Sequence, residues 1–281
     1  MNPILVPINL RSDYENILRY AESIALKSGT RLVLFYAGSL LKGGADYTYV
    51  SGSPVAELLQ RVRSAKIRQN LDALCQQLGH KGIDFSFRFT GRRFMSSLVR
   101  ETEQQDYELV IMGSHRPAGL RGYVYGALAS RLIGRVRVPL FIVPLRSRFN
   151  EIEHITYAVD LSDYDPQAVR QVKAIAAVFD AKLTIAHVNY EPEAAEKAQY
   201  VSSLERTISD TLDYPKIYYK FFDDTDPLGG IKKLVHLSGS NVLAMISRKQ
   251  FSWRDVFSTR SMTRKMTQEL SVPVLAFRKA P

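Results

Sequence analysis

The chain has 281 residues, a formal net charge of +10 and a hydrophobic content of 46%, which together fit a basic globular protein of about two domains. No run of about 18 apolar residues is present, so a membrane-spanning helix is excluded, and the single cysteine, Cys75, excludes an internal disulfide. The chain enters a strand pattern directly after Met1 without the features of a signal peptide, and we therefore expect a cytoplasmic protein.

The first half alternates between short apolar runs and longer segments with helical spacing of apolar residues. These patterns predict strands at 4–8, 32–36, 85–89, 109–112 and 140–143, and helices at 13–27, 55–78, 94–103 and 124–135. Residues 38–53 are rich in glycine and contain Tyr47 and Tyr49. We expect a disordered surface loop there, and a lid over a nearby site is the alternative.

The second half has the same alternation. Its patterns predict strands near 155–160, 182–188, 216–221, 242–246 and 273–277, and helices near 165–179, 191–212, 227–238 and 257–269. Strands that alternate with helices imply parallel sheets with right-handed crossovers. The sequence therefore predicts an α/β protein with two tandem, open, parallel, five-stranded sheets flanked by helices.

The two halves are also similar in sequence. ILVPINL at 4–10 corresponds to ITYAVDL at 155–161, and VPLFI at 138–142 corresponds to VPVLA at 272–276. Such a repeat indicates two homologous domains, which we place at residues 1–147 and 152–281.

The positive charge belongs to the first half alone. Residues 1–150 carry 21 Lys and Arg against 11 Asp and Glu, whereas residues 151–281 carry 17 of each. A basic half favours a small anionic ligand or partner in domain 1. Arg61, Arg63, Lys66 and Arg68 fall on one predicted helix, but no nucleic-acid-reading module accompanies them, so nucleic acid is disfavoured as a partner.

Ligands of open α/β sheets bind beyond the carboxyl ends of the strands. In domain 1 this rule selects Pro7 and Asn9 after the first strand, Ala37 after the second, and the loop at 113–122 after the fourth. That loop leads into a predicted helix, whose amino end favours a phosphate.

The segment MGSHRPAGL at 112–120, followed by Gly126-Ala127 and by VPLFIV at 138–143, resembles the carboxyl-terminal signature of the universal stress protein family. The opening strand, the helix after it and the second strand also resemble that family, and both halves of the chain share the likeness. The resemblance implies a tandem member with an adenine nucleotide alpha hydrolase-like, Rossmann-like fold and a role in stress response. It further implies that the fifth strands at 140–143 and 274–277 pair about a pseudo-twofold axis, and it leaves a homodimer of the whole chain open.

ATP-binding members of that family carry Gly-x-x-Gly, nine residues, then Gly-Ser or Gly-Thr. In domain 1, Gly113 and Gly126 match, but Arg116 replaces the second glycine and Ala127 replaces the hydroxyl residue. Asn9 stands where those members have an acidic residue. His115 and Arg116 add positive charge, and arginine suits a phosphate, so domain 1 is predicted to hold an anion through side chains or not at all.

Domain 2 keeps other parts of the signature. Asp160 supplies the acidic residue and Ser261 the hydroxyl, while Ser247 occupies the first glycine position when the strands are aligned on Pro273. All three glycines are missing, which disfavours a backbone loop around phosphates.

We therefore predict a non-catalytic stress protein with a degenerate nucleotide site that acts through protein or small-ligand binding. One alternative is a regulatory module that binds ATP or AMP through the domain 1 loop, with at most weak ATP hydrolysis. The other is a carrier or enzyme for a different anionic small molecule. No catalytic residue, metal site or certain cofactor is predicted, because no nucleophile elbow, P-loop or metal-ligand spacing occurs in the sequence.

Overall fold

Strands and helices alternate along the chain as the sequence predicts. The computed structural model describes residues 2–10, 14–38, 40–42, 46–114, 127–133, 135–144, 147–159, 165–189, 202, 205, 206, 208, 212–247 and 270–278. The chain divides into two units, Met1–Phe149 (unit 1) and Asn150–Pro281 (unit 2).

The elements of unit 1 follow the predicted order, with one additional strand and one helix divided in two. They are β1 Ile4–Pro7, α1 Glu15–Ser28, β2 Leu32–Ala37, β3 Tyr47–Val50, α2 Val55–Arg61, α3 Ala65–His80, β4 Phe85–Thr90, α4 Phe94–Gln104, β5 Leu109–Gly113, α5 Ala127–Leu132 and β6 Leu140–Val143. The strand order is β3-β4-β2-β1-β5-β6, and the described strand pairs are parallel apart from β3 with β4.

Unit 2 repeats this plan. Its described elements are β7 His154–Ala158, α6 Pro166–Phe179, β8 Lys182–Asn189, β9 Ile217–Asp223, α7 Pro227–Ser238, β10 Val242–Ser247 and β11 Val274–Arg278. The order is β11-β10-β7-β8-β9 with parallel pairs throughout, which confirms the predicted α/β class. The predicted helices at 257–269 and, for the most part, 191–212 lie outside the described residues, and the pairing of the two fifth strands stays a prediction.

The prediction of a disordered loop at 38–53 is wrong, and with it the five-strand count for unit 1. Residues 47–50 form β3, which pairs antiparallel with β4 from Tyr47↔Phe89 to Val50↔Ser86. Tyr49 is buried against the rings of Phe85 and Phe87, at 6.2 and 6.0 Å between centroids. Two tyrosines at alternate positions satisfy a strand's pleat, and this aromatic packing outweighs the glycines that precede it.

The single helix predicted at 55–78 is interrupted. Leu41 and Val62 form an antiparallel bridge, and both side chains are buried. The Lys42 N–H donates to the Arg61 carbonyl at 2.8 Å, and the Arg63 N–H donates to the Leu40 carbonyl at 3.2 Å. Residues 40–42 therefore form hydrogen bonds with backbone groups that a continuous helix would have paired internally.

The Cys75 side chain lies on the buried face of α3, as its spacing from Leu71 and Leu78 predicts. Burial, with a smaller contribution from the nearby Asp72 carboxylate, raises the pKa of its thiol to about 12. We expect alkylation of the native protein at pH 8 to be more than about a hundredfold slower than that of the unfolded chain, whose thiol has a pKa of about 8.5. Timed labelling in increasing urea measures this difference, and a native rate close to the unfolded rate would contradict it.

Candidate functional site

The carboxyl ends of β1, β2 and β5 meet at one edge of the unit 1 sheet. β1 lies between β2 and β5. The strands that follow β1 in the chain are first added on its β2 side and then on its β5 side, so the strand order reverses at β1. Pro7, Ala37 and Gly113 are the last residues of the three strands. Such a reversal is where ligands of open α/β sheets bind.

The hydrogen-bonded ladder between β1 and β5 ends before either strand does. Their register pairs are Ile4↔Leu109 and Leu5↔Val110, whereas β1 stays paired with β2 as far as Pro7↔Phe35. β5 likewise stays paired with β6 as far as Gly113↔Val143. The last residues of β1 and β5 therefore lie outside their shared ladder, at the edge where an open α/β fold has its ligand crevice.

Pro7 accounts for the early end of this ladder. The N–H groups of Ile4 and Ile8 donate to the carbonyls of Arg31 and Phe35 on the β2 side, each at 2.9 Å. Because backbone groups of a strand alternate in direction, the nitrogen of Pro7 faces β5. Proline has no N–H, so no ladder hydrogen bond can form there.

The walls of the crevice combine buried and accessible residues. Pro7 and Gly113 are buried, Ala37 is half-buried and Asn9 is exposed. Gly38 follows Ala37 with φ of 151°, and a Cβ at that position would stand 3.2 Å from the Tyr36 ring. Glycine therefore lets the tyrosine ring lie against the backbone where β2 ends.

Ser114 was not singled out from the sequence. It follows Gly113 directly, its side chain is buried, and its N–H donates to the Val143 carbonyl at 2.9 Å. Its counterpart is Ser247, since Met112-Gly113-Ser114 and Met245-Ile246-Ser247 occupy the same places in their sheets. This shared Met-x-Ser pattern is the sequence signal that identifies the position.

Several predicted site residues are not placed. His115, Arg116, Gly126, Asp160 and Ser261 lie outside the described residues. Ala127 is the first residue of α5. The structure thus brings together Pro7, Ala37 and Gly113, with Asn9 just beyond the end of β1.

The alignment that gave Ser247 the first glycine position is wrong by one residue. Gly113 pairs with Val143 in unit 1, and the equivalent pair in unit 2 is Ile246↔Phe277. Ser247 pairs with Arg278, one step further along β10. The shift arises because the chain between β10 and Pro273 is one residue longer than its counterpart, which the alignment on proline hid.

The ladder between the corresponding strands of unit 2 extends further than that of unit 1. Ala158 stands where unit 1 has Pro7, and β7 stays paired with β10 as far as Ala158↔Met245. The His187 ring also hydrogen-bonds the Val159 carbonyl through Nδ1 at 2.9 Å. An isoleucine, Ile246, replaces the small Gly113.

A second polar cluster lies at the amino end of β7. His154 Nε2 is 2.7 Å from Thr184 Oγ1. The hydroxyls of Thr156, Ser238 and Ser240 form hydrogen bonds with one another nearby. Burial lowers the pKa of His154 below its ordinary value, and Lys182 and Lys220 act in the same direction against a hydrogen bond to the Ser238 backbone. The neutral imidazole is therefore the form that this cluster accommodates.

This lowered pKa predicts a pH dependence of stability. A folded-state pKa below the unfolded value of about 6.5 means that the unfolded chain binds the proton more readily. The contribution of His154 to stability is then fully present above about pH 6.5 and is lost as the pH falls below that value. Urea unfolding between pH 7.5 and 5 should show a decrease that His154→Gln reduces, whereas substitution of the exposed His80 should leave it unchanged.

The described residues contain no group of three or more His, Cys, Asp or Glu side chains arranged to hold a metal ion. Among the helices in the described part of the chain, none is long and apolar enough to cross a membrane.

Mainly parallel strands with helical crossovers, and a reversal of strand order in each of two similar units, define a Rossmann-like α/β protein. The sequence model of the universal stress protein family matches residues 1–144 and 151–213, and the chain belongs to that family. No curated protein sequence matches the chain.

Solved structures share the fold across both units. A universal stress protein from Archaeoglobus fulgidus DSM 4304 superposes with a TM-score of 0.70 at 17% identity, covering 99% of this chain and 98% of its own. A functionally unknown protein from Pseudomonas aeruginosa PAO1 gives 0.65 at 14% identity, with 98% and 92% covered. The cytoplasmic domain of a prokaryotic cation chloride cotransporter gives 0.57 at 10% identity, with 98% and 94% covered.

Proposed function

We propose that the protein acts in stress response as a non-catalytic regulator whose unit 1 crevice binds a small phosphate-bearing ligand, with ATP and AMP as the first candidates. We assign to this site Pro7, Asn9, Ala37 and Gly113 from the described residues, together with the residues that the sequence predicts for it, His115, Arg116, Gly126 and Ala127. Unit 2, with Asp160, Ser247 and Ser261, has the structural role of a closed counterpart.

The early end of the β1–β5 ladder carries this proposal. The two units are built on one plan, yet their first and fourth parallel strands behave differently. In unit 1 the ladder between these strands ends after Leu5↔Val110, before either strand ends, whereas in unit 2 it continues as far as Ala158↔Met245. Proline at position 7 and glycine at position 113 clear space at the place where the fold receives ligands. Ala158 and Ile246 occupy the same places in unit 2.

Charge supports the same assignment. All of the net positive charge of the chain resides in residues 1–150, while residues 151–281 are neutral overall. A positive field around unit 1 raises the local concentration of anionic ligands. The absence of glycine at position 116 is offset by an arginine, whose planar guanidinium suits a phosphate.

A matched pair of substitutions tests the assignment to unit 1. Asn9→Ala should weaken binding of ATP or AMP about two- to tenfold, the effect of one hydrogen bond of about 0.5–1.5 kcal/mol. Asp160→Ala, at the corresponding position of unit 2, should leave the affinity unchanged. Isothermal titration calorimetry measures both affinities on the full chain.

Two results would contradict the proposal. Equal losses in both variants would show that the ligand is not confined to unit 1. If neither nucleotide binds and neither raises the melting temperature, the site is degenerate and the protein acts through protein contacts instead. Mass spectrometry of small molecules released from freshly purified protein then shows whether another anion occupies the crevice.

A further inference from the structure

The bridge between Leu41 and Val62 gathers basic residues that are separated in sequence. Lys42 lies across this bridge from Arg61, with its N–H on the Arg61 carbonyl, and Arg63 is the next residue after Val62. α3 begins at Ala65, which brings Lys66 and Arg68 into its first turn. We call Lys42, Arg61, Arg63, Lys66 and Arg68 the cationic patch.

The side chains of the cationic patch are presented to solvent. All five residues are exposed, while Leu41 and Val62 between them are buried and Ile67 is buried beneath Lys66 and Arg68. Within the described part of the chain, no ion pair involves any of the five. Other exposed cations of unit 1 do have acidic partners, such as Arg31 with Asp84 at 2.7 Å and Lys81 with Glu22 at 2.7 Å.

This arrangement is electrostatically unfavourable for the isolated protein. Like charges across a bridge repel each other. The first turn of α3 contains no acidic residue and instead places cations at the positive end of the helix dipole, where acidic residues are ordinarily preferred. Five clustered cations that form no ion pair among the described residues favour a polyanion as the partner of this surface.

One arginine of the patch is already held in position. The Arg61 guanidinium lies 4.5 Å above the Tyr47 ring, and that ring stacks on Phe89 at 6.3 Å between centroids. A guanidinium fixed by a ring has lost its rotational freedom before it meets a ligand, and its N–H edges remain able to contact phosphate oxygens.

We propose that the cationic patch binds the phosphate backbone of a nucleic acid, independently of base sequence. The sequence disfavoured nucleic acid because no base-reading module is present, but a phosphate-binding surface requires none. A bilayer is a poorer match, because the patch has no exposed large apolar residue to enter the membrane. The large exposed hydrophobic residues of the described chain lie elsewhere, at Leu26, Val50, Tyr218, Phe221 and Leu237.

The test is fluorescence anisotropy of the full chain with a labelled random duplex of about 20 base pairs of DNA and with single-stranded RNA, between about 50 and 200 mM salt. The variant Arg61→Gln/Arg63→Gln/Lys66→Gln should bind at least about tenfold more weakly, and its slope of log affinity against log salt should fall in magnitude by about 2.7. The estimate follows from a slope of about 0.9 for each duplex phosphate that a cation neutralises, with three cations removed.

A control variant keeps the net charge equal. Arg19→Gln/Arg137→Gln/Arg148→Gln also removes three exposed cations from unit 1, outside the patch. It should retain most of the wild-type affinity and slope, and circular dichroism with thermal melting confirms that both variants are folded. Equal losses in the two variants would overturn the proposal, because binding would then follow net charge alone. Binding to phosphatidylserine vesicles but to neither nucleic acid would also overturn it, in favour of a membrane surface.

Discussion

Replacing Phe87 with alanine is expected to lower the free energy of unfolding of unit 1 by about 3–5 kcal/mol. The Phe87 side chain is fully buried in β4, and its ring lies 6.0 Å from Tyr49, 5.7 Å from Phe85 and 5.8 Å from Phe89 between centroids. Its removal leaves a cavity on the buried face of the sheet, and it takes away the ring on which Tyr49 packs.

Urea denaturation of the full chain, followed by near-ultraviolet circular dichroism, measures this loss. Phe221→Ala is the matched control, because Phe221 lies in the equivalent strand β9 of unit 2 but is 40% exposed. That control should cost less than about 1 kcal/mol, as is usual for exposed positions. Protease cleavage within residues 46–53 should also accelerate in Phe87→Ala, and an unchanged cleavage rate would show that β3 is held by other contacts.

The second large effect is expected at a buried carboxylate. The Glu22 side chain is only 4% exposed, and its two oxygens accept hydrogen bonds from Gln77 Nε2 and Lys81 Nζ, each at 2.7 Å. Lys81→Met leaves the carboxylate in the interface of α1 and α3 with one neutral donor. Breaking a buried pair costs about 3–5 kcal/mol, and we expect about 2–3 kcal/mol here because Lys81 is 43% exposed.

A double-mutant cycle separates this coupling from the loss of packing. Glu22→Gln combined with Lys81→Met removes the charge as well as its partner, so the double variant should recover some of the stability. Lys216→Met is the control for a surface pair, since Lys216 and Asp180 lie 2.6 Å apart but are 39% and 80% exposed. It should cost at most about 1 kcal/mol. Equal costs for Lys81→Met and Lys216→Met would mean that burial of Glu22 contributes nothing.

The predicted fold and the observed fold agree where local patterns suffice. Strands β1, β2, β5 and β6 are continuous apolar runs. Asp165 and Asp226 each precede a proline and cap the helix that follows. Disagreement arose where distant segments meet. The bridge from Leu41 to Val62 interrupts the helix that the apolar periodicity of residues 55–78 favours. Tyr49 pairs with β4, a strand partner that no local pattern could show.

The candidate site divides in the same way. Its residues could be found from the sequence because ligand sites of open α/β sheets follow strand ends, and strand ends are visible as breaks in apolar runs. The difference in ladder length between the two units could not be found from such breaks. It depends on how far β1 follows β5, and only strand register reveals that distance.

The sequence by itself determined the α/β class, the repeat of one unit and the family, because these depend on apolar periodicity and on motifs that are contiguous in the chain. Only the tertiary structure decided that the β1–β5 ladder ends before Pro7 while its counterpart in unit 2 continues to Ala158, and that Lys42 lies beside Arg61 and Arg63. Both outcomes depend on hydrogen bonds and packing between residues far apart in the chain, to which local sequence patterns are insensitive.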